Sequence, residues 1–544
     1  MEGSSVRPPA EVVTGFTMRD PSFWLTLTCW AVVGFSAVQI ATFSFGRDQS
    51  IYALIGDGVL AGQMPYRDLW DFKPPGIFFV YALAQALFGK SMAAVRLVEV
   101  LVLLGVVASL RRLGGVFFEN RAVGLVGGAL AALIHFQLDF WHTGQPETFG
   151  GLLTLLGLVL TVREPRRRWL AAFGTGLLFG SAALLKPPLG GGAVVCAAYL
   201  AQRARTRGES SRRALGVAGV VALGGALPTL LTLLWFWARG ALGDLVWTLG
   251  EFTPGYTAVS WQDRRAAEML YYAIEEAFFG FSALAAAGII AAIAMRPLHA
   301  REREGIFLVL GVIAIELAGI AMQGKFFAYH YGATLPLVAF IAGIGLYKLW
   351  MRCLQGGVGG ILAFFSFVIV AALMRYPVGD LPQSVWERAR IRIAYLLDRP
   401  PFEDRPAMDR ELAYVADFNL DADRRVALAV RQLTKQSDSV FVWGFEPAIY
   451  WLSERRPATR FIYNVPQRSA WERESAREAL MADLHRNPPR VIVVQARDVF
   501  PAVTGTRTDS RDELPTFPAL SSLLDTEYRF VKSIEDFDLY LRPE

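Results

Sequence analysis

The sequence is poor in charge, cysteine, histidine and lysine. Asp, Glu, Lys and Arg make up only 19% of its 544 residues, whereas about a quarter is usual in soluble proteins. The three cysteines lie in or beside apolar runs and the five histidines are scattered, so neither a disulfide framework nor a zinc-ligand spacing is present. Only seven of the 54 basic residues are lysines. A soluble cytosolic enzyme is excluded, and the clustered loop arginines indicate membrane topology rather than nucleic-acid binding.

Long apolar runs recur between Phe23 and about Met374. Most are 17–25 residues long, which is enough to cross ~30 Å of hydrocarbon as a helix. They cover roughly residues 23–43, 92–110, 122–138, 147–162, 169–185, 188–202, 214–238, 271–295, 305–322, 332–350 and 357–374. The sequence therefore predicts a polytopic α-helical membrane protein with about eleven spans.

The character of the chain changes at Tyr376. Charge density rises, and the runs 440–443 and 491–494 have the composition of buried strands, with a helix predicted between them over 470–486. We expect two domains: a membrane domain over residues 1–375 and a soluble α/β domain over 376–544.

The apolar segment 75–89 decides the topology. It has 15 residues and is too short to span comfortably. If it lies at the surface as a juxtamembrane helix, the loops on the N-terminal side carry 19 Arg and Lys against 9 opposite. The positive-inside rule then predicts a cytoplasmic N-terminus, with Arg7 and Arg19 before an uncleaved first span, and an extracytoplasmic C-terminal domain. The arginine-rich composition suits a GC-rich bacterial genome, so we expect a bacterial inner membrane with an outer-facing active site.

The first outer loop carries an acid, Asp48, before a predicted amphipathic surface helix with apolar residues at 51, 54, 55 and 59. Asp48 could be an N-cap. It could also be a general base at the membrane rim. The sequence leaves both interpretations open.

The same loop continues with the motif PYRDLWDFKPPG, residues 65–76. Lys73 is a cation at headgroup depth, or a snorkelling anchor. Asp68 and Asp71 are expected to balance Arg67 and Lys73. The polar residues expected to support the loop are Arg47, Tyr66, Arg67 and Asp71.

Glu147 begins a span at the next outer loop, where it either favours the helix N-terminus or serves function. Three of the seven lysines, Lys73, Lys186 and Lys325, fall on the outer rim, the last followed by His330. Lysines that converge there would suit a phosphate or pyrophosphate.

Taken together, these residues resemble a known family. The first span, the first-loop acid, PYRDLWDFKPPG, a span ending in Arg-Arg and the second-loop acid resemble bacterial GT-C glycosyltransferases of the family 39 type. These are relatives of the protein O-mannosyltransferases and the lipid A aminoarabinose transferases. The segment 440–463 resembles their exported domain, and the first 190 residues match best.

The resemblance implies an enzyme that moves a sugar from a polyprenyl-phosphate donor to a hydroxyl of an envelope glycolipid, polysaccharide or protein. Asp48 then matches the catalytic base and Glu147 the second acid. Lys73, Lys186, Lys325 and His330 would bind the donor phosphate. Many relatives carry two adjacent acids in the first loop; here Gln49 replaces the second, which disfavours a divalent metal.

Two other classes stay open at this point. An O-antigen ligase or polymerase is also polytopic with outer-face chemistry, and a lipid or solute transporter would place charge inside its spans, as Arg96, Glu99 and Glu316 do here. The absence of a visible inverted repeat in the sequence disfavours the transporter.

Overall fold

The computed structural model describes residues 21–163, 168–295, 299–374, 383–412 and 418–543. Up to residue 374 the described chain is helical. Its α-helices are α1 Pro21–Ala41, α2 Arg47–Leu60, α3 Gly76–Phe88, α4 Met92–Phe117, α5 Arg121–Gln137, α6 Pro146–Val162, α7 Arg168–Leu185, α8 Gly192–Thr206, α9 Ser211–Ala238, α10 Leu242–Trp247, α11 Thr253–Ala258, α12 Ala266–Glu275, α13 Ala283–Ala294, α14 Ala300–Gln323, α15 Leu335–Leu354 and α16 Gly357–Leu373.

The length and apolar character of these helices confirm a polytopic helical membrane protein. Six helices (α1, α4, α7, α9, α14 and α15) are long and apolar enough to cross a membrane. The bent pair α12–α13 raises that number to seven if it forms one span. Four shorter apolar helices, α3, α5, α6 and α16, have 13–17 residues. The total of eleven spans stays a prediction.

The predicted continuous span 271–295 is wrong. A π-helical turn, Glu276–Gly280, ends the first helix, and α13 then starts at an angle of 97° to it. Ser282 caps the new helix, because its hydroxyl accepts the backbone N–H of Ala285. The predicted span 188–202 also starts later, at Gly192, since Pro187–Gly191 forms a 3-10 turn.

Small residues let the apolar helices approach closely. Where α5 crosses α15, a Cβ on Gly343 would lie 2.5 Å from the backbone nitrogen of Gly127. Where α7 crosses α9, a Cβ on Gly180 would lie 2.1 Å from the carbonyl oxygen of Gly225. Such contacts substitute for the hydrophobic drive that lipid cannot supply.

Helix α3 has 13 residues, too few to span comfortably, and its juxtamembrane position stays a prediction. At its start Gly76 packs on the backbone of Leu184. Just after its end Lys90 pairs with Asp57 at 2.6 Å and lies 5.9 Å from the ring of Trp451 in the C-terminal domain. Both ends therefore lie on one face of the protein.

Helix α2 is not the amphipathic surface helix that the sequence predicts. It begins at Arg47 and buries most of its residues, because α3 packs on it from the membrane domain and the C-terminal domain covers it from the other side. This burial fixes the helix that carries Asp48.

The C-terminal domain is an α/β fold with a five-stranded sheet. Its described helices are α17 Val385–Leu396, α18 Arg405–Leu412, α19 Leu420–Leu433, α20 Ala448–Ser453, α21 Val465–Arg468, α22 Arg473–Arg486, α23 Pro501–Thr504, α24 Ser510–Glu513 and α25 Pro518–Glu527. Its strands are β1 Ser439–Trp443, β2 Arg456–Pro457, β3 Val491–Gln495, β4 Arg529–Ile534 and β5 Phe537–Leu541.

The strand order is β2-β1-β3-β5-β4. Strands β1, β2 and β3 are parallel, and β5 and β4 are antiparallel to their neighbours. The two predicted strands are confirmed, and the helix between them begins at Arg473 rather than at 470. The boundary predicted at 375/376 lies outside the described residues, as do Arg7 and Arg19.

The first outer loop is built into this domain. The backbone nitrogen of Trp70 donates to the carbonyl of Arg460 at 2.8 Å, and Trp70 forms a parallel bridge with Phe461. The buried rings of Trp70, Phe252 and Tyr463 then pack together. The loop and the domain share one hydrophobic core, so the domain holds the loop over the membrane helices.

Candidate active site

Asp48 lies in the first turn of α2, but it is not the N-cap. Gly46 occupies that position, and its backbone nitrogen donates to Oε1 of Gln49 at 2.9 Å; this is one half of a capping box, because glycine has no side chain to accept the reciprocal bond. The capping interpretation of Asp48 is therefore wrong. The carboxylate still benefits from the positive end of the helix dipole.

One amide and one ammonium hold the Asp48 carboxylate. Nε2 of Gln145 donates to its Oδ2 at 3.1 Å, and Oε1 of Gln145 in turn accepts the Tyr52 hydroxyl at 3.0 Å. Nζ of Lys73 lies 4.0 Å from the same Oδ2. The side chain of Asp48 remains 24% exposed, so the carboxylate is both oriented and open to a reactant.

Lys73 is fixed by its own loop. Tyr66, in the left-handed conformation with φ 70°, donates its hydroxyl to the Lys73 carbonyl at 2.7 Å. The Lys73 ammonium lies 3.4 Å from the Tyr329 hydroxyl. Burial lowers the pKa of Lys73, but Asp48, the Tyr256 phenol and further acids outweigh it, so that the pKa is raised overall. Lys73 is thus a permanent cation.

The two other acids of this loop, Asp71 and Asp68, make contacts that stabilise the loop. Asp71 is 1% exposed; it accepts the Tyr463 hydroxyl at 2.6 Å and the Lys73 backbone N–H at 3.3 Å. Burial raises its pKa to about 6. Asp68 pairs with Arg67 at 2.8 Å on the surface, as predicted, and Arg67 also donates to the Arg239 carbonyl.

Glu147 and Lys186 form a second, more buried pair. Glu147 follows Pro146 in the first turn of α6, and its Oε1 accepts the ammonium of Lys186, which directly follows α7. The exposed fractions of the two side chains are 2% and 13%. Burial lowers the pKa of Lys186 to about 8, although Glu147 opposes the shift.

The 3-10 turn Ala328–Tyr331, which follows α14, borders the site. The backbone of Gly332 lies against Glu147, and the ring of Tyr329 stacks near His142 at 6.1 Å. His330 is 6% exposed, and burial, aided by nearby lysines, pushes its pKa well below the usual value. His330 is therefore neutral at pH 7, so it can offer a hydrogen bond to a phosphate but no charge.

Lys325 lies apart from the two pairs. Its ammonium donates to the carbonyl of Ala502 in the C-terminal domain at 2.7 Å and lies 4.0 Å from the ring centre of Tyr256. Burial lowers its pKa to about 8. The structure thus brings Asp48, Lys73, Glu147, Lys186 and His330 to one face, with Lys325 at the edge and Arg67 on the surface.

Gln49 stabilises the backbone of the second outer loop. Its Nε2 donates to the carbonyls of Phe140, Trp141 and Thr143 at 3.2, 3.2 and 2.6 Å. A carboxylate at this position would face three carbonyl oxygens. Within the described ranges, no group of three or more His, Cys, Asp or Glu side chains could hold a metal ion. The metal requirement stays a prediction.

A buried ion pair in the membrane helix α4 sets the backbone of both outer loops. Arg96 and Glu99 pair at 2.5 Å with no exposed surface. Arg96 donates to the Ser44 carbonyl at 2.6 Å. Glu99 accepts the backbone N–H of Gly144 at 3.0 Å and contacts His135 at 2.7 Å. Both charges therefore serve the structure. The i,i+3 spacing of Arg96 and Glu99 had indicated that they could pair.

Sequence reasoning missed Gln145, Tyr52 and Tyr329. Uncharged side chains on outer loops carry no chemical signature of their own. Glu316 also gains a partner: its Oε2 accepts the Thr334 hydroxyl at 2.8 Å beneath the turn 328–331.

Comparison with known proteins agrees with this architecture. Residues 72–235 match the family model described as dolichyl-phosphate-mannose-protein mannosyltransferase. ArnT from Cupriavidus metallidurans in the apo state superposes with a TM-score of 0.57 at 15% identity, over 95% of this chain and 98% of ArnT. The chain has the GT-C glycosyltransferase fold.

The GT-C fold is also seen in ArnT bound to undecaprenyl phosphate, with a TM-score of 0.53, 15% identity and coverage of 96% and 98%. The mannosyltransferase family and ArnT are both glycosyltransferases. No curated protein matches the chain significantly by sequence. The family match includes Lys73, Glu147 and Lys186 and begins after Asp48.

Proposed function

We propose that this GT-C chain transfers a sugar from a polyprenyl-phosphate donor to a hydroxyl of a cell-envelope glycolipid, polysaccharide or protein, at the outer face of a bacterial inner membrane. The observation that carries the proposal is the Asp48–Lys73 pair, 4.0 Å apart, at the start of a helix beside a second acid–lysine pair. The two pairs together would supply a base and two cations close to one another.

The proposed reaction is a single displacement. The acceptor oxygen attacks C1 of the sugar, the bond between C1 and the phosphate oxygen breaks with its electron pair going to the phosphate, and the acceptor proton goes to Asp48. Gln145 and Lys73 both contact Oδ2. We therefore assign the proton to Oδ1. Such a displacement inverts the configuration at C1.

Lys73 and Lys186 would stabilise the charge that develops on the leaving phosphate. Lysine meets phosphate as a point charge, and fixed cations in a water-poor site act strongly on a developing anion. Neutral His330 and the Tyr329 hydroxyl can add hydrogen bonds. Glu147 keeps the Lys186 ammonium charged in a buried position.

The test is transfer from a panel of radiolabelled polyprenyl-phosphate sugars into an envelope extract from a strain that lacks this gene. Wild type is compared with Asp48→Asn and with Asp57→Asn, a matched control on the same helix whose carboxylate pairs with Lys90 instead. We expect wild type and Asp57→Asn to transfer label, and Asp48→Asn to lose at least about 100-fold.

Equal transfer by Asp48→Asn and wild type would remove Asp48 as the base. If wild type binds the donors but moves no label into any extract, the proposed acceptor class is wrong. If it binds none of the donors, the glycosyltransferase proposal itself fails.

A further inference from the structure

Arg47, the residue before Asp48, is inserted into the C-terminal domain. Its exposed fraction is 2%. Its Nε and one terminal nitrogen lie 2.6 and 2.5 Å from Oε1 of Glu446. Its guanidinium carbon lies 4.5 Å from the ring centre of Phe500 and 5.5 Å from that of Phe418. Cation–π contacts of this kind strengthen when the site is dry.

Glu446 is itself rigidly placed. It follows β1 at the carboxyl edge of the parallel strands, and Gln495, the last residue of β3, donates its Nε2 to Oε1 of Glu446 at 3.1 Å. Oε1 of Gln495 accepts the Phe445 backbone N–H at 2.7 Å. The sheet thus fixes the carboxylate that receives Arg47.

A second buried acid completes the cluster. Asp423 of α19 is fully buried and adjoins Glu446. Burial raises the pKa of both acids, although Arg47 opposes the shift at each and Arg424 opposes it at Asp423. Arg47 thus faces two buried carboxyls that compete for it, and such a pair can hold a shared proton.

We infer that Glu446 is a positioning residue for the transfer reaction: it holds Arg47, and through Arg47 the first turn of α2 and the carboxylate of Asp48. The inference assigns to the C-terminal domain a part in catalysis beyond covering the site. It deepens the proposed function and rests on it for the kinetic readout only.

The physical reason is that Arg47 and Asp48 are neighbours in the chain. Asp48 directly follows Arg47 at a helix start, so a shift of the Arg47 backbone moves the base with it. A displacement of about 1 Å in a reacting group costs on the order of 100-fold in rate. Donor binding through Lys73 and Lys186 depends on other contacts and should change little.

Three variants test the inference: Glu446→Gln, the double variant Arg47→Met/Glu446→Met, and the control Asp244→Asn. The double variant removes both charges of the pair, and such replacements are usually tolerated; Asp423 remains, and burial without Arg47 favours its protonated, uncharged form. The control breaks a different contact to the domain, the Arg460–Asp244 pair at 3.4 Å. Each purified protein is assayed for kcat and donor KM, and for amide hydrogen exchange over residues 47–60.

We expect kcat to fall roughly 10- to 100-fold in Glu446→Gln and in the double variant. The donor KM should stay within about twofold, and exchange should be faster at the start of α2, from Ser50 on, where its helical hydrogen bonds begin. Asp244→Asn should keep wild-type values. A stable double variant with wild-type kcat would overturn the inference, as would an equal loss in Asp244→Asn.

Unchanged exchange at the start of α2 in Glu446→Gln would also overturn it, whatever the rate. This arm needs no substrate. If wild type transfers no sugar at all, the proposed function fails while the exchange comparison still decides whether Glu446 holds α2.

Discussion

Lys186 sets an alkaline limit on the proposed reaction. Burial lowers its pKa to about 8, so about nine tenths of the free enzyme carries this charge at pH 7 and about one tenth at pH 9. If the neutral amine cannot stabilise the leaving phosphate, kcat/KM falls roughly 10-fold over that interval. A bound phosphate favours the ammonium, so kcat itself should fall less.

The effect on stability has the opposite sign. The pKa of Lys186 in the folded protein lies below the value of 10.5 for an unperturbed lysine. Between about pH 8 and 10.5 the unfolded chain therefore binds more protons than the folded one, and this residue makes folding more favourable as the pH rises. A loss of sugar transfer at pH 9 would therefore not be explained by a destabilising effect of Lys186 on the fold.

The assay is the pH profile of kcat/KM for wild type, Lys186→Arg and Lys325→Arg, with folding followed by thermal unfolding at each pH. Arginine stays charged throughout this range, so Lys186→Arg should lose the limb near pH 8. An unchanged limb in Lys186→Arg would refute the reasoning. Its loss in Lys325→Arg alone would assign it to Lys325, whose pKa is also lowered to about 8.

Two further predictions concern the groups behind the site. Glu99→Gln leaves the Arg96 guanidinium fully buried without its carboxylate and should cost about 3–5 kcal/mol of stability, read as a fall in Tm in detergent, whereas Glu119→Gln at the exposed Arg301–Glu119 pair should change it by less than about 1 kcal/mol; equal Tm values for both would contradict the assignment. Gln145→Leu removes the amide that orients Asp48 and should lower kcat roughly 10-fold with little change in donor KM, and a wild-type kcat would show that Lys73 alone orients the base.

The sequence was sufficient to predict the membrane class, the α/β domain and the short helix α3. Each depends on a local signal: the length of an apolar run, β-branched residues in a strand, or a double proline before 13 helical residues. The side of the membrane on which α3 lies, inferred from the charge bias between loops, stays a prediction. The broken span at Glu276–Gly280 was not predictable, because apolar composition continues through the bend.

The site was predictable only in part. A charged residue beside an apolar run is conspicuous in the sequence, whereas a neutral polar residue is not. Asp48, Lys73, Glu147 and Lys186 are charged residues at or near the ends of helices, where the sequence makes them conspicuous. Gln145 is recognisable only from its contacts with Asp48 and Tyr52. Burial of α2 likewise depends on a domain hundreds of residues away.

That separation along the chain sets the order in which the protein is completed during synthesis. Ser44 contacts Asp409, Arg47 contacts Glu446 and Asp71 contacts Tyr463, across 365, 399 and 392 residues. At about 5–20 residues per second, a ribosome takes roughly 20 to 80 s to cover that distance. The first outer loop is therefore synthesised well before the residues that it contacts in the C-terminal domain. The geometry proposed for the site is complete only after that domain has been synthesised and has folded onto the loop.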